Sequence, residues 1–383
     1  MLFTYKNPNV YDKKYAILKD LEVEKKVQKD NEKYIKYSLL KKEYSKILDV
    51  ETIMKESKMI DNPITEQIIP YNVEKIRKKG VKVIYNVYQS KYSNGKINGT
   101  GFGDFIRGSY FLLEFCEKYN FIPKIVFNNC ISKFLSTKLN NIDKIQNILA
   151  NIEMFNNNNF KEFNIADNYI LYPKLDLVHI MADFVNYITK LYVYNGRVFI
   201  YCIPYPLTTV SENSKAYMRM ILEPTDEIKD NVSQCLKKAD LSYKEYSVFH
   251  IRSGDNYLKE ENKKFYIDYL NKLKIEIKTI IHNDNIKKTF NTKYLIIADN
   301  NEVKILLKKE LPEMKIILNE ITHLGEGVML EEEKVKHTLI DFYLLSFANN
   351  IVSFSCNEHG SGFSYWCAVT FDIPYVSKFI NSM

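Results

Sequence analysis

The chain has 383 residues, 46% hydrophobic and 26% charged, which excludes global disorder and exceeds one ordinary domain; two α/β domains plus an appendage fit it. The formal charge of +7 is modest for this length, and the 54 Lys and Arg are interleaved with 47 Asp and Glu. That balance permits an anionic ligand and gives no argument for nucleic acid as a partner.

The N-terminus, MLFTYKNPNVYDKK, lacks the apolar run of a signal peptide. No stretch approaches the ~18 uninterrupted apolar residues of a membrane span, so a cytoplasmic protein with no transmembrane segment is expected. The six cysteines, at 116, 130, 202, 235, 356 and 367, form no C-x-x-C pair and read as buried free thiols of a reducing compartment. Residues 10 to 60 contain no Gly or Pro, and Leu18, Leu21, Val23, Val27, Leu39, Leu40, Ile47 and Leu48 recur at helical spacing. A helical extension over residues 1–75 is expected, packing on the body or making a homo-oligomer, with a membrane-surface role as the alternative.

Pro63 and Pro70 mark a linker into a second unit, residues 76–225. There VKVIYNVY (81–88) reads as a strand, SNGKINGTGFGD (93–104) as a Gly-dense loop, Phe105–Tyr119 as a helix and Lys124–Phe127 as a strand, the opening of a βαβ unit. Between 130 and 225 the pattern blurs: NIEMFNNNNF is a low-complexity loop, and YVYNGRVFIYCIPY has strand character. Beyond Pro224 the predicted elements sharpen into a third unit, residues 226–383. TDEIKDNVSQCLKKA is a helix, YSVFHIR (246–252) a strand, 262–283 a helix and YLIIAD (294–299) a strand. NEVKILLKKEL follows as a helix capped by Asn300 or Asn301, then strand MKIIL, helix EEKVKHTLIDFYLLSFA, strand NIVSFS and helix SGFSYWCAVTF. Strands alternating with helices predict a doubly wound, mostly parallel sheet. The fold class expected is α/β, two Rossmann-like domains facing a cleft.

Ligands of open α/β sheets bind beyond the carboxyl ends of the strands, so those ends hold the candidates. The strand 246–252 delivers His250 and Arg252 on one face, then Gly254 for the exit turn and Asp255. A guanidinium fixed there suits a diphosphate; a surface Arg–Asp pair beside a core histidine is the plainer alternative. The next strand delivers Asp299 and Asn300, a ribose or base acceptor or simply a helix cap. The strand 350–355 leads to Ser361, Gly362, Phe363 and Ser364 before a helix, either a phosphate cradle or a generic Gly-Ser turn. In the first βαβ unit Gly101, Gly103 and Asp104 open a helix without forming a dinucleotide fingerprint.

Three of these segments together resemble the fucosyltransferase superfamily that contains the α1,2-, α1,6- and protein O-fucosyltransferases. They are GTGFGDFIRG, the strand end His250-Ile251-Arg252-Ser253-Gly254-Asp255, and the closing block DFYLLSFANNIVSFSCNEHGSGFSYW. The resemblance implies a GT-B fold, GDP-fucose as donor, inversion at the anomeric carbon and no metal or other cofactor; the chain also has no clear D-x-D metal motif. It further implies that Arg252 binds the β-phosphate, His250 supports the donor site, Asp299 holds the nucleoside and Ser361–Ser364 wrap the diphosphate. Ser253 stands where the family commonly has a second Arg, and CNEHG (356–360) lengthens the closing turn. Asp104 is the candidate general base toward the acceptor hydroxyl, with a helix N-cap as its alternative role and Asp183 and Glu212 as substitutes. Two other functions stay open: a GT-B enzyme using another GDP- or UDP-deoxyhexose, and a catalytically silent glycan- or nucleotide-binding protein. The partners expected are a sugar nucleotide and a glycan or glycoconjugate acceptor.

Overall fold

The computed structural model describes residues 64–380 apart from 89, 92–96, 99–100, 128–129, 137–176, 192, 202–209, 254–262, 287–292, 321–323, 325–330 and 357–359. The N-terminal helices expected before residue 60, the Asn-rich loop, Cys202, Gly254 and Asp255 therefore lie outside the described residues.

Helix α1 (Ile64–Lys78) runs through Pro70, where the sequence suggests a linker. A proline inside a helix forfeits one backbone hydrogen bond. Burial of Val73 and Ile76, three residues apart on one face, holds the helix on the body regardless. Strand β1 (Val83–Tyr88) follows, then a short antiparallel pair, β2 (Ser90–Lys91) and β3 (Ile97–Asn98). Helix α2 (Phe102–Tyr119) is buried along most of its length and ends on Asn120, whose left-handed backbone (φ 55) stops the helix. It leads to β4 (Ile122–Phe127). Helix α3 (Leu177–Lys190) and β5 (Arg197–Tyr201) complete a three-stranded parallel sheet of order β4-β1-β5. Helix α4 (Glu212–Ile221) and α5 (Asp226–Lys238) then lead into the second sheet.

That sheet contains β6 (Tyr246–Arg252), β7 (Lys293–Ala298), β8 (Lys315–Ile316), β9 (Asn350–Ser355) and β10 (Tyr375–Phe379), all parallel, in the order β10-β9-β6-β7-β8. Its helices are α6 (Lys263–Ile286), α7 (Asn301–Glu310), α8 (Glu332–Ser346) and α9 (Gly362–Phe371). The chain starts in the middle, builds outward through β7 and β8, then returns to the other side of β6 with β9 and β10. That reversal is the doubly wound arrangement, and it places the topological switch point between β6 and β9. The expected α/β class with two parallel sheets is thus present, with β10 as a fifth strand that the sequence reading does not anticipate.

The sheets share packing. Buried residues from Val73 through Phe111 and Phe184 to Trp366 and Tyr375 form one continuous apolar cluster. Tyr110 on α2 lies 5.6 Å from Trp366 on α9, ring to ring, and its hydroxyl donates to Thr370 Oγ1 at 2.8 Å. Tyr343 on α8 donates to the carbonyl of Leu222 at 2.6 Å. Cys116 and Cys367 are buried free thiols, whereas Cys130, Cys235 and Cys356 are half-buried. Among the described residues no helix is long and apolar enough to cross a membrane.

Candidate functional site

Strand β6 is buried up to its last residue, where Arg252 emerges at the carboxyl end of the sheet. Ile251 enters the apolar cluster on one face of the sheet with Phe249 and Phe354. His250 turns to the opposite face, is 4% exposed, and meets Ser353 of β9 through Nδ1 at 3.3 Å. Ser364 at the start of α9 donates to the same Ser353 hydroxyl at 3.2 Å and lies 3.4 Å from the Tyr375 hydroxyl. Burial pushes the His250 imidazole down to about 4, so it stays neutral at physiological pH. It works here as a polar strut between β6, β9 and α9.

Arg252 Nη1 donates to Asp299 Oδ2 at 2.8 Å. The other oxygen of Asp299 accepts from the Ser253 amide at 3.1 Å and from the Ser253 hydroxyl at 2.5 Å. The two ion-paired side chains are 23% and 17% exposed, so the pair is screened by solvent only in part. Asn300 caps α7, its side chain accepting from the Glu302 amide at 2.6 Å. Of the two expected roles for the Asp-Asn pair, the cap thus falls to Asn300, and the Asp299 carboxylate faces the tip of β6.

Beyond β9, Gly360 adopts φ +74, and a Cβ there would stand 2.7 Å from the Ser377 hydroxyl. Ser361 occupies the N-cap position of α9 without a side-chain cap bond. The first amides of α9, at Gly362, Phe363 and Ser364, therefore start beside the switch point, where the orphan N–H groups of a helix attract an anion. The Phe363 ring lies 6.0 Å from His250.

The first lobe reaches this point through glycine. A Cβ on Gly103 would come within 2.3 Å of the Gly362 carbonyl carbon and 2.6 Å of the Phe363 amide nitrogen. The N-termini of α2 and α9 thus touch backbone to backbone, so the carboxyl ends of both sheets meet there. Gly101 is the N-cap residue of α2, and Asp104 is the third helical residue. The N-cap position considered for Asp104 is held by Gly101 instead, which makes no side-chain cap bond. Asp104 pairs with Arg107 at 3.2 Å and keeps 47% of its side chain exposed, while Arg107 is nearly buried. Desolvation by the surrounding protein raises the Asp104 carboxyl to about 6. Glu212 sits on α4 with 76% of its side chain exposed and pairs with Lys215 at 2.7 Å. Asp183 lies on α3.

A second polar group at the carboxyl side of the sheet escapes sequence reasoning. Lys304 of α7 is fully buried, donates to the Ile317 carbonyl at 3.0 Å and faces Asp341 Oδ2 at 3.6 Å. Asn319 donates to Asp341 Oδ1 at 3.0 Å, and burial raises the Asp341 carboxyl. The available signal was Lys304 itself, which sits on the apolar face of NEVKILLKKEL beside Val303 and Leu307.

No protein-family model matches this chain, and no curated protein matches it in sequence. Among solved structures it is similar to the fucosyltransferase NodZ from Bradyrhizobium, at 12% identity and a TM-score of 0.44 over 76% of this chain and 92% of that one. It is also similar to POFUT1 in complex with GDP, at 10% identity and a TM-score of 0.35 over 79% of this chain and 99% of that one. A third likeness, to the UDP-GlcNAc 2-epimerase of Methanocaldococcus jannaschii, has 13% identity and a TM-score of 0.25 over 79% and 90%. Each is a distant likeness of shape.

Proposed function

We propose that this chain is a glycosyltransferase that takes a sugar from a nucleotide diphosphate held at the β6–β9 switch point, with GDP-fucose as the leading donor. The acceptor is a hydroxyl of a glycan or glycoconjugate. One observation carries the reading: the guanidinium of Arg252 and the first amides of α9 stand at the switch point of a parallel sheet, and the N-terminus of α2, which carries Asp104, touches the start of α9. Arg252 and helix amides suit a diphosphate, and a carboxylate raised to about 6 suits proton abstraction near neutral pH.

In this reading the acceptor oxygen attacks the anomeric carbon while the bond from that carbon to the β-phosphate oxygen breaks. The hydroxyl proton passes to Asp104, and the nucleotide diphosphate departs with the bonding pair. Arg252 and the α9 amides compensate its growing charge, the electrostatic contribution that accelerates such transfers most. Attack from the side opposite the leaving group inverts the anomeric centre. Charge compensation by protein groups alone implies turnover without a metal ion.

The test is a panel of GDP- and UDP-sugars incubated with the purified chain and assayed for free nucleotide, with chelator present. Release of GDP from GDP-fucose is the expected result. Release from another donor reassigns the sugar, binding without release makes this a binding protein, and failure of every nucleotide diphosphate to bind removes the reading.

A further inference from the structure

The resemblance gives Asp299 to the nucleoside, but its carboxylate is engaged elsewhere. Oδ2 accepts from Arg252 Nη1 at 2.8 Å, and Oδ1 accepts from both the amide and the hydroxyl of Ser253, at 3.1 and 2.5 Å. We propose that Asp299 and Ser253 form a clamp that orients the Arg252 guanidinium toward a diphosphate, Asp299 being a positioning residue and not a nucleoside ligand.

The clamp rests on Arg252 meeting a diphosphate, as proposed above. An arginine side chain is long, and anchoring its Nη1 narrows the directions its rigid fork can take. Asp299 supplies that anchor from the neighbouring strand end, and its own backbone is tied to β6 by the Asp299 amide donating to the Ile251 carbonyl at 3.3 Å. On the other side Cys356 secures the same turn: its amide donates to the Arg252 carbonyl at 3.3 Å and its thiol to the Ser253 carbonyl at 3.1 Å. Ser253 is fully buried, so its hydroxyl is held in place for Asp299. A serine fits where a second arginine is common in the resembling family because a buried, short donor can reach Asp299 without adding charge. The carboxylate also cancels part of the charge of Arg252. Orientation is gained at the expense of attraction, which makes the two roles separable by experiment.

The test uses the full chain with Asp299→Asn, Ser253→Ala and Arg252→Lys, and three probes: guanosine, GDP and inorganic pyrophosphate. Asp299→Asn should leave guanosine affinity unchanged and GDP affinity unchanged or tighter, since a negative charge is lost beside the phosphates. It should lower kcat about tenfold, with KM moving less than threefold, because a misdirected guanidinium fails in the transition state more than in the ground state. Ser253→Ala should do the same more weakly, and Asp299→Asn should cost little further in the Arg252→Lys background. Equal loss of guanosine and GDP affinity with kcat preserved would make Asp299 a nucleoside ligand and overturn the clamp. If the unaltered chain binds neither GDP nor pyrophosphate, the sugar-nucleotide reading fails by itself. The clamp is then judged by the Arg252 Nη proton signals in nitrogen-edited NMR: slow exchange lost in Asp299→Asn supports it, and signals indifferent to that substitution refute it.

Discussion

Replacing Gly103 by alanine asks whether the joint between the lobes depends on one missing methyl group. The added Cβ would lie 2.3 Å from the Gly362 carbonyl carbon, 2.5 Å from its oxygen and 2.6 Å from the Phe363 nitrogen. Carbon atoms in contact sit about 3.5–4.0 Å apart, so α2 and α9 must part by roughly 1.2 Å. All three obstructing atoms are backbone, which cannot swing aside as a side-chain tip can. Ordinary overpacking costs about 1–3 kcal/mol, and this site belongs at the upper end. Alanine returns up to ~1 kcal/mol of helix propensity, leaving a net loss of about 2 kcal/mol.

The facing glycine supplies the control. A Cβ on Gly362 finds nothing nearer than 3.8 Å, so Gly362→Ala should melt at or slightly above the temperature of the unaltered chain. Thermal unfolding of both variants, with isothermal titration of GDP, is the assay. Gly103→Ala should melt several degrees lower and bind GDP more weakly, since the N-termini of α2 and α9 no longer meet. Equal melting of Gly103→Ala and the unaltered chain, or equal damage from Gly362→Ala, would show that the two helix ends do not touch as described.

Lys304→Met strands the Asp341 carboxylate in the interior and should destabilise by about 3–5 kcal/mol in urea unfolding; the double variant with Asp341→Leu should recover much of the loss. Turnover, if Asp104 is the base, should rise with pH through about 6 and then level, and Asp104→Asn should abolish that rise. The sign for stability is opposite: a carboxyl raised in the folded state makes folding less favourable as pH climbs from the ordinary ~3.9 through that value, so Asp104→Asn should be no less stable at pH 8 while losing activity. Tyr110→Phe, which removes the hydroxyl bond to Thr370, should cost only about 1 kcal/mol in the same unfolding assay, because Thr370 also donates to the Trp366 carbonyl.

The second sheet was legible because its strands are short apolar runs, such as YSVFHIR and NIVSFS, bounded by polar turns and separated by helices of full length. Strand β10 was missed because YVSKF is an edge strand of five residues in which Tyr375 alone is buried, and among the described residues it pairs with β9 alone. Helix α4 was missed for a different reason. ENSKAYMRMI is ten residues long and buries only Ser214, Met218 and Ile221, so its apolar face is too sparse to show a helical period, although Ser211 caps it. At the candidate site, the residue types at the strand ends were readable and their partners were not. Arg252 and Asp299 are 47 residues apart, and their pairing depends on β6 and β7 lying side by side.

The same limit explains why Gly103 looked like one more loop glycine. Its sequence neighbours call for a tight turn, but its φ is not positive, and its need for a missing side chain comes from Gly362, in the other lobe. What sets the N-termini of α2 and α9 against each other is thus a steric contact between two backbones, with the polar bond from Tyr110 to Thr370 further along the same helices. Such a contact has no soft coordinate: it tolerates hydrogen at both positions and a methyl group at only one. If Asp104 is the general base, its distance from the leaving group holds only as long as the apolar cluster behind it, from Tyr110 to Trp366, stays packed. Changes in that cluster, remote from any reacting atom, should therefore lower kcat before they unfold the protein.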